Sequence, residues 1–414
     1  MAGKRSCSGV EFDTGDLVWL LPKRFWRNTH YISGLNEDRL FCEFSELSAI
    51  ESGPFIALSS RTSAMAMPIT IRRSLAVLTL LSCLLPALSH AYADLVVLGD
   101  SLSDVGNLRL ATQGSPGGPL PQDPPYFQGR FSDGPNYTET LWRRLGLPGD
   151  INPSFAGGTN YAVGGARTRY HASDLANPAF NPLTDATTAL QLTLFGQRDL
   201  LLFNNGDHLD SASLYTVWIG SNDVRDAILS VANGGSPEFA DQLIAQSAAD
   251  LLVAINDLVM AGARDLLIPS VPDLGLIPEM MALAPSVPGI ELLATTLSQN
   301  FNDLVDAGLD SISAEVTRLD VFTFLRDFID DPTGFGLPAG VNTTQPCFEG
   351  FIGVPGTLCS QPREFVFFDK IHPTAVTHRV LGQLAANAVP VPGIAWLVAI
   401  GLFAIGTVHR LAVS

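Results

Sequence analysis

Residues 94–99, Asp94-Leu95-Val96-Val97-Leu98-Gly99, run without a break into Asp100-Ser101-Leu102-Ser103-Asp104. Four consecutive apolar residues closed by a glycine read as a short buried strand. In open α/β sheets, sites lie at the carboxyl ends of strands. Ser101 therefore stands where a nucleophile would be placed. It lacks the Gly-x-Ser-x-Gly surround of an α/β-hydrolase elbow.

Working outward, strand patterns fall at residues 160–164, 213–219, 265–269 and 365–368. Helical periodicity marks residues 239–261, where Leu243, Ile244, Ala248, Leu251, Leu252, Ile255 and Leu258 recur on one face. Further helices are expected at 292–312 and 373–388, and at 135–145 behind Ser132 or Asp133 as cap. Residues 114–135, rich in Gly and Pro, read as a long loop, and so do residues 340–345. Strands alternating with helices predict a parallel sheet covered on both faces.

The composition narrows the function. The chain has 414 residues, 46% hydrophobic, with a formal net charge of −17. Residues 94–414 hold 15 Lys/Arg against 33 Asp/Glu. So acidic a body repels phosphate backbones, which argues against a nucleic-acid partner. No His-Glu-x-x-His, P-loop or Gly-x-Gly-x-x-Gly pattern is present.

A serine nucleophile needs a base to take its proton and a third group to orient that base. His372 follows the last strand, and Asp369 lies three residues before it, within reach of one imidazole nitrogen across a tight turn. Acyl transfer also needs donors for the oxyanion. The paired Gly164 and Gly165 let a backbone N–H approach a ligand, and Asn222 offers a side-chain amide. Asp104 and Asn107 are expected to pin the loop after Ser101. Asp223 has no neighbouring His and is read as structural. His171, His208 and His378 are read as solvated surface residues.

The blocks GDSLSD (99–104), NYAVGGA (160–166), IGSND (219–223) and DKIHPT (369–374) occur in that order. Together they resemble the SGNH, or GDSL-type, esterases and lipases over residues 94–388. GRFSDGPNYTETL (129–141) is similar to the long-chain members. The resemblance implies a flavodoxin-like three-layer α/β/α sandwich. It implies Ser101 as nucleophile, Asp369 and His372 as its partners, and the Ser101 N–H, Gly165 and Asn222 as oxyanion donors. No cofactor or metal is required by such chemistry. The expected substrate is a small-molecule, lipid or acylated-glycan ester, with an acyltransferase or an inactive carbohydrate-binding surface module as rivals.

Cys347 and Cys359 flank a Gly/Pro-rich loop and are expected to form a disulfide. That expectation rests on export. Arg72 and Arg73, the uncharged run 74–88 and the small-x-small stretch 89–93 read as a signal peptide within residues 65–93. Residues 1–64 receive no function, and a start at Met65 or Met67 is the reading adopted. Residues 389–414 are expected to be a membrane or sorting segment. Pro390-Val391-Pro392, the apolar residues 394–408 and Arg410 resemble PEP-CTERM bacterial sorting tails, which implies a sorting protease as partner. Val391 stands where that signature has Glu, and a single Arg replaces its basic cluster; a plain membrane anchor is the alternative. Either reading places the enzyme outside the cytoplasm, secreted or at the cell surface.

Overall fold

The structure is a computed structural model that describes residues 92–169 and 193–390. Residues 1–64, the signal segment up to residue 91, His171 and the tail beyond residue 390 lie outside the described residues.

The strand centred on Val97 is β1 (Leu95–Gly99), and every residue of it is buried. It lies beside β2 (Leu214–Trp218), which is followed across the sheet by β3 (Asp265–Pro269) and β4 (Glu315–Leu319). All three pairings are parallel, with Leu95 opposite Leu214, Leu214 opposite Asp265 and Asp265 opposite Glu315. Apolar runs such as LVVLG suit this position, because a parallel sheet is covered on both faces.

The described helices are α1 (Asn107–Ala111), α2 (Tyr137–Arg144), α3 (Leu194–Asn204), α4 (Ser221–Ala232), α5 (Pro237–Ala261), α6 (Pro278–Leu283), α7 (Ile290–Leu309), α8 (Val321–Asp330) and α9 (Ala375–Ala388). Helix α5 shows why they form where they do. Ser236 caps it by accepting the Phe239 N–H at 3.1 Å, and Pro237 occupies the first turn. Gly262, at φ 127°, ends it in a conformation that other residues rarely adopt. Its buried stripe packs against α3, α4 and α7. Each buried Leu or Ile there contributes about 1.5–3 kcal/mol relative to exposure. Helix α5 is also long and apolar enough to cross a membrane, and more than half of that stretch is buried in the protein. Helices α2 and α9 pack on each other and complete the α/β/α sandwich.

Four sequence expectations need correction. Residues 160–164 do not form a strand. Tyr161 and Val163 donate to the carbonyls of Val97 and Gly99, but Asn160 Oδ1 takes the Ala162 N–H at 3.0 Å and turns the chain out of a regular ladder. Residues 365–368 do not join the main sheet. β6 (Phe365–Phe367) pairs in parallel with β5 (Asn342–Pro346), which begins within the 340–345 stretch read as loop. Helix α2 is capped by Asn136, whose side chain accepts the Thr138 N–H while Glu139 returns to the Asn136 N–H at 2.8 Å. Ser132 and Asp133 instead reach the start of α9, bonding Pro373 O at 2.9 Å and the Ala375 N–H at 2.7 Å. His378 is buried, not solvated, on the inner face of α9 with Thr377, Leu381 and Ala385. Burial first, then the neighbouring His372, lowers its pKa to about 3.

Candidate active site

Gly99 ends β1 close under the second strand: a Cβ there would stand 2.5 Å from Trp218 O. The chain turns at once, with the Ser103 and Asp104 N–H groups bonded to Asp100 O. This turn lifts Ser101 to the carboxyl end of the sheet. Asp104 then organises the loop. Its two oxygens accept the N–H groups of Gly106, Asn107, Leu108 and Gly164 at 2.7–3.1 Å. Burial outweighs these bonds and pushes its pKa up to about 6. Asn107 donates to the carbonyls of Asn160 and Ala162 at 2.7 and 2.9 Å. Both residues hold backbone in place, as expected of them.

His372 arrives from the other end of the chain. Its Nε2 lies 2.8 Å from Ser101 Oγ, and its Nδ1 lies 2.7 Å from Asp369 Oδ2. The other carboxylate oxygen accepts the N–H groups of Ile371 and His372 at 2.9 and 2.8 Å. The three-residue turn therefore closes on its own carboxylate. With Nδ1–H donating to Asp369, Nε2 keeps a lone pair toward the serine hydroxyl. Asp369 and His372 are 0% and 2% exposed, so water does not screen the pair.

Three aromatic residues that the sequence reading passed over complete this end. Tyr126 Oη donates to Asp369 Oδ2 at 2.6 Å. The rings of Phe131 and Phe351 lie 5.1 and 6.2 Å from the imidazole. Tyr126 and Phe131 belong to the Gly/Pro-rich loop, and Phe351 to the loop closed by Cys347 and Cys359, whose sulfurs are 2.00 Å apart. The only signal for them was aromatic residues inside otherwise small-residue loops.

On the opposite side, Gly164 spends its N–H on Asp104, whereas the Gly165 N–H has no partner among the described residues. Gly165 sits at φ 79°, a conformation suited to glycine. Asn222, in the first turn of α4, donates one amide hydrogen to Ala166 O at 2.9 Å and so lies beside this glycine turn. Asp223 accepts from Thr168 Oγ1 at 2.8 Å, a structural bond. One cavity is lined by Ser101, Asn222 and His372 at its polar end. Leu274, Ile277, Val321, Phe324, Leu325 and Leu381 supply apolar walls.

A serine hydroxyl, an imidazole and a carboxylate in line, beside an apolar cavity, form an arrangement that can support acyl transfer. The family model of GDSL-like lipase/acylhydrolase matches residues 95–385. The chain belongs to this family. Esterase EstA of Pseudomonas aeruginosa is 30% identical over 356 residues, covering 75% of this chain and 50% of its own. Lipase 1 of Photorhabdus luminescens is 25% identical, covering 73% and 51%. The phosphatidylcholine-sterol acyltransferase of Aeromonas hydrophila is 26% identical, covering 72% and 90%. The chain thus spans about half the length of the first two relatives. As a GDSL-like chain it has the parallel-sheet sandwich expected from its four sequence blocks.

Proposed function

We propose that the protein is a serine ester hydrolase acting through an acyl-enzyme. The observation that carries this reading is the pair of contacts at His372, 2.8 Å to Ser101 Oγ and 2.7 Å to Asp369 Oδ2. Ser101 Oγ attacks the ester carbonyl while His372 Nε2 takes its proton. Asp369 holds the ring and stabilises the imidazolium. The N–H groups of Ser101 and Gly165 and the free amide hydrogen of Asn222 receive the oxyanion. His372 returns the proton to the leaving alcohol, and water then releases the acyl group by the same steps in reverse order. The apolar cavity walls favour an uncharged aliphatic acyl group. The test is turnover of short p-nitrophenyl esters. Ser101→Ala lowers it by at least about 10³-fold, and unchanged turnover defeats the reading.

Transfer to an alcohol in place of water is the second reading, favoured by the acyltransferase among the relatives. Product analysis with added alcohols separates the two. The signal-like residues 65–93 support placing the enzyme outside the cytoplasm, with residues 389–414 as a sorting segment cut by a membrane protease or, alternatively, a plain membrane anchor. Mass measurement of the mature ends in the native host tests both.

A further inference from the structure

At the cavity wall, three charged residues meet: Arg225 and Glu279, both buried, and the half-exposed Lys370. Arg225 lies one turn after Asn222 on α4, so the two share a helix face. Its guanidinium grips Glu279 of α6 with two bonds, Nε to Oε2 at 2.5 Å and Nη2 to Oε1 at 2.8 Å. Lys370, the residue between Asp369 and Ile371, places Nζ 2.6 Å from Glu279 Oε1. The Glu279 N–H also donates to Lys370 O at 3.0 Å. Lys370 Nζ in turn sits 4.4 Å from the centre of the Phe351 ring, the ring stacked on His372.

We propose that Glu279 is a positioning residue: its buried carboxylate ties the helix carrying Asn222 to the turn carrying Asp369 and His372, and sets their separation. The inference rests on the esterase reading above. The oxyanion donor and the base descend from different elements, α4 and the 369–372 turn, and Glu279 bonds to side chains from both. Burial alone would raise its pKa, but hydrogen bonds and charge from Arg225, joined by Lys370, hold it at about 2. Without the carboxylate, Arg225 and Lys370 lose the one anion that both contact, and nothing ionic then ties the two elements together. A displacement near 1 Å between reacting groups is enough to slow chemistry by about 10²-fold.

The test uses the full chain, p-nitrophenyl butyrate, and kcat normalised to the fraction of Ser101 labelled by a fluorophosphonate. Glu279→Gln keeps shape and the backbone bond to Lys370. It lowers kcat by at least about 10-fold with KM changed less than about twofold. Lys370→Met also lowers kcat, and Lys370→Arg, which keeps the charge, restores most of it. Combining Glu279→Gln with Lys370→Met gives less than the product of the single effects, because both act through one carboxylate. A folded Glu279→Gln enzyme with wild-type kcat overturns the proposal, as do fully multiplicative effects. If Glu279→Gln does not fold, the Lys370 pair decides, and unchanged kcat in Lys370→Met overturns it. A wild-type chain that neither hydrolyses the ester nor reacts with the probe defeats the esterase reading and this inference together. An active wild type with unaffected variants defeats only the role of Glu279.

Discussion

The Tyr126 phenol donates to Asp369 Oδ2, the same carboxylate oxygen that faces His372 Nδ1. One oxygen thus receives both donors, and Tyr126 fixes the rotation of the carboxylate that faces His372. Burial, then the Asp369 charge, raises the phenol pKa far above its usual value, so Tyr126 remains a donor. Tyr126→Phe removes this bond without changing ring volume. Hydrogen bonds to charged groups contribute about 1.5–3 kcal/mol, and that loss is expected in denaturant unfolding. On activity, kcat falls about 10-fold and KM holds, read from steady-state kinetics on p-nitrophenyl esters.

Chain-length preference follows from the cavity walls. Phe324 and Val321 line the same cavity as Ser101. Phe324→Leu enlarges it, and the preferred p-nitrophenyl ester moves to a longer acyl chain. An ester panel from acetate to decanoate reads the shift directly. An unaltered profile would place the acyl group elsewhere.

Asp100 makes stability depend on pH. Its Oδ1 accepts the Leu102 N–H at 3.0 Å, while its buried Oδ2 has no partner among the described residues. Burial, opposed by that bond and by His372 and reinforced by Asp223, raises its pKa to about 7. The folded state therefore holds this proton more tightly than the unfolded chain does. The stability so gained is complete below the ordinary carboxylate value of 3.8 and is lost as pH rises through about 7. Asp100→Asn removes the loss. Its unfolding free energy above pH 8 exceeds wild type by about 1–3 kcal/mol, the cost of an unpaired buried polar group. Below pH 4 the two converge. Thermal melts across the pH range check the crossing.

The Cys347–Cys359 bond closes a short loop, with a sequence separation of 12, that carries Phe351. Replacing both cysteines with Ala costs about 3 kcal/mol in the chain-entropy model. Denaturant unfolding of the variant, and of wild type with reductant, measures it. Identical midpoints with and without reductant would mean that the two thiols are free.

Much of this was legible because it is local. The 94–99 run, the helix over 239–261 and the 265–269 strand carry their own periodicity, and the structure places elements at all three. β4 was missed because it is an edge strand. Glu315-Val316-Thr317-Arg318-Leu319 is mostly half-exposed and needs no apolar run. β5 was missed for a similar reason, since Asn342-Thr343-Thr344-Gln345-Pro346 is polar and pairs only with β6. His378 was misplaced because a histidine on a helix does not reveal which face will be covered.

The sequence by itself determined which residues are candidates for the proposed chemistry: Ser101 at a strand end, Asp369 and His372 in one tight turn, and Gly165 and Asn222 as candidate donors. Their spacing within each block is short, so backbone geometry constrains it. Only the tertiary structure decided what stands around them. Tyr126 meets Asp369 across 243 residues, Asp133 caps α9 across 242, and Glu279 joins Arg225 to Lys370. None of these pairings leaves a periodic trace, because each depends on two distant segments packing before either side chain has a partner.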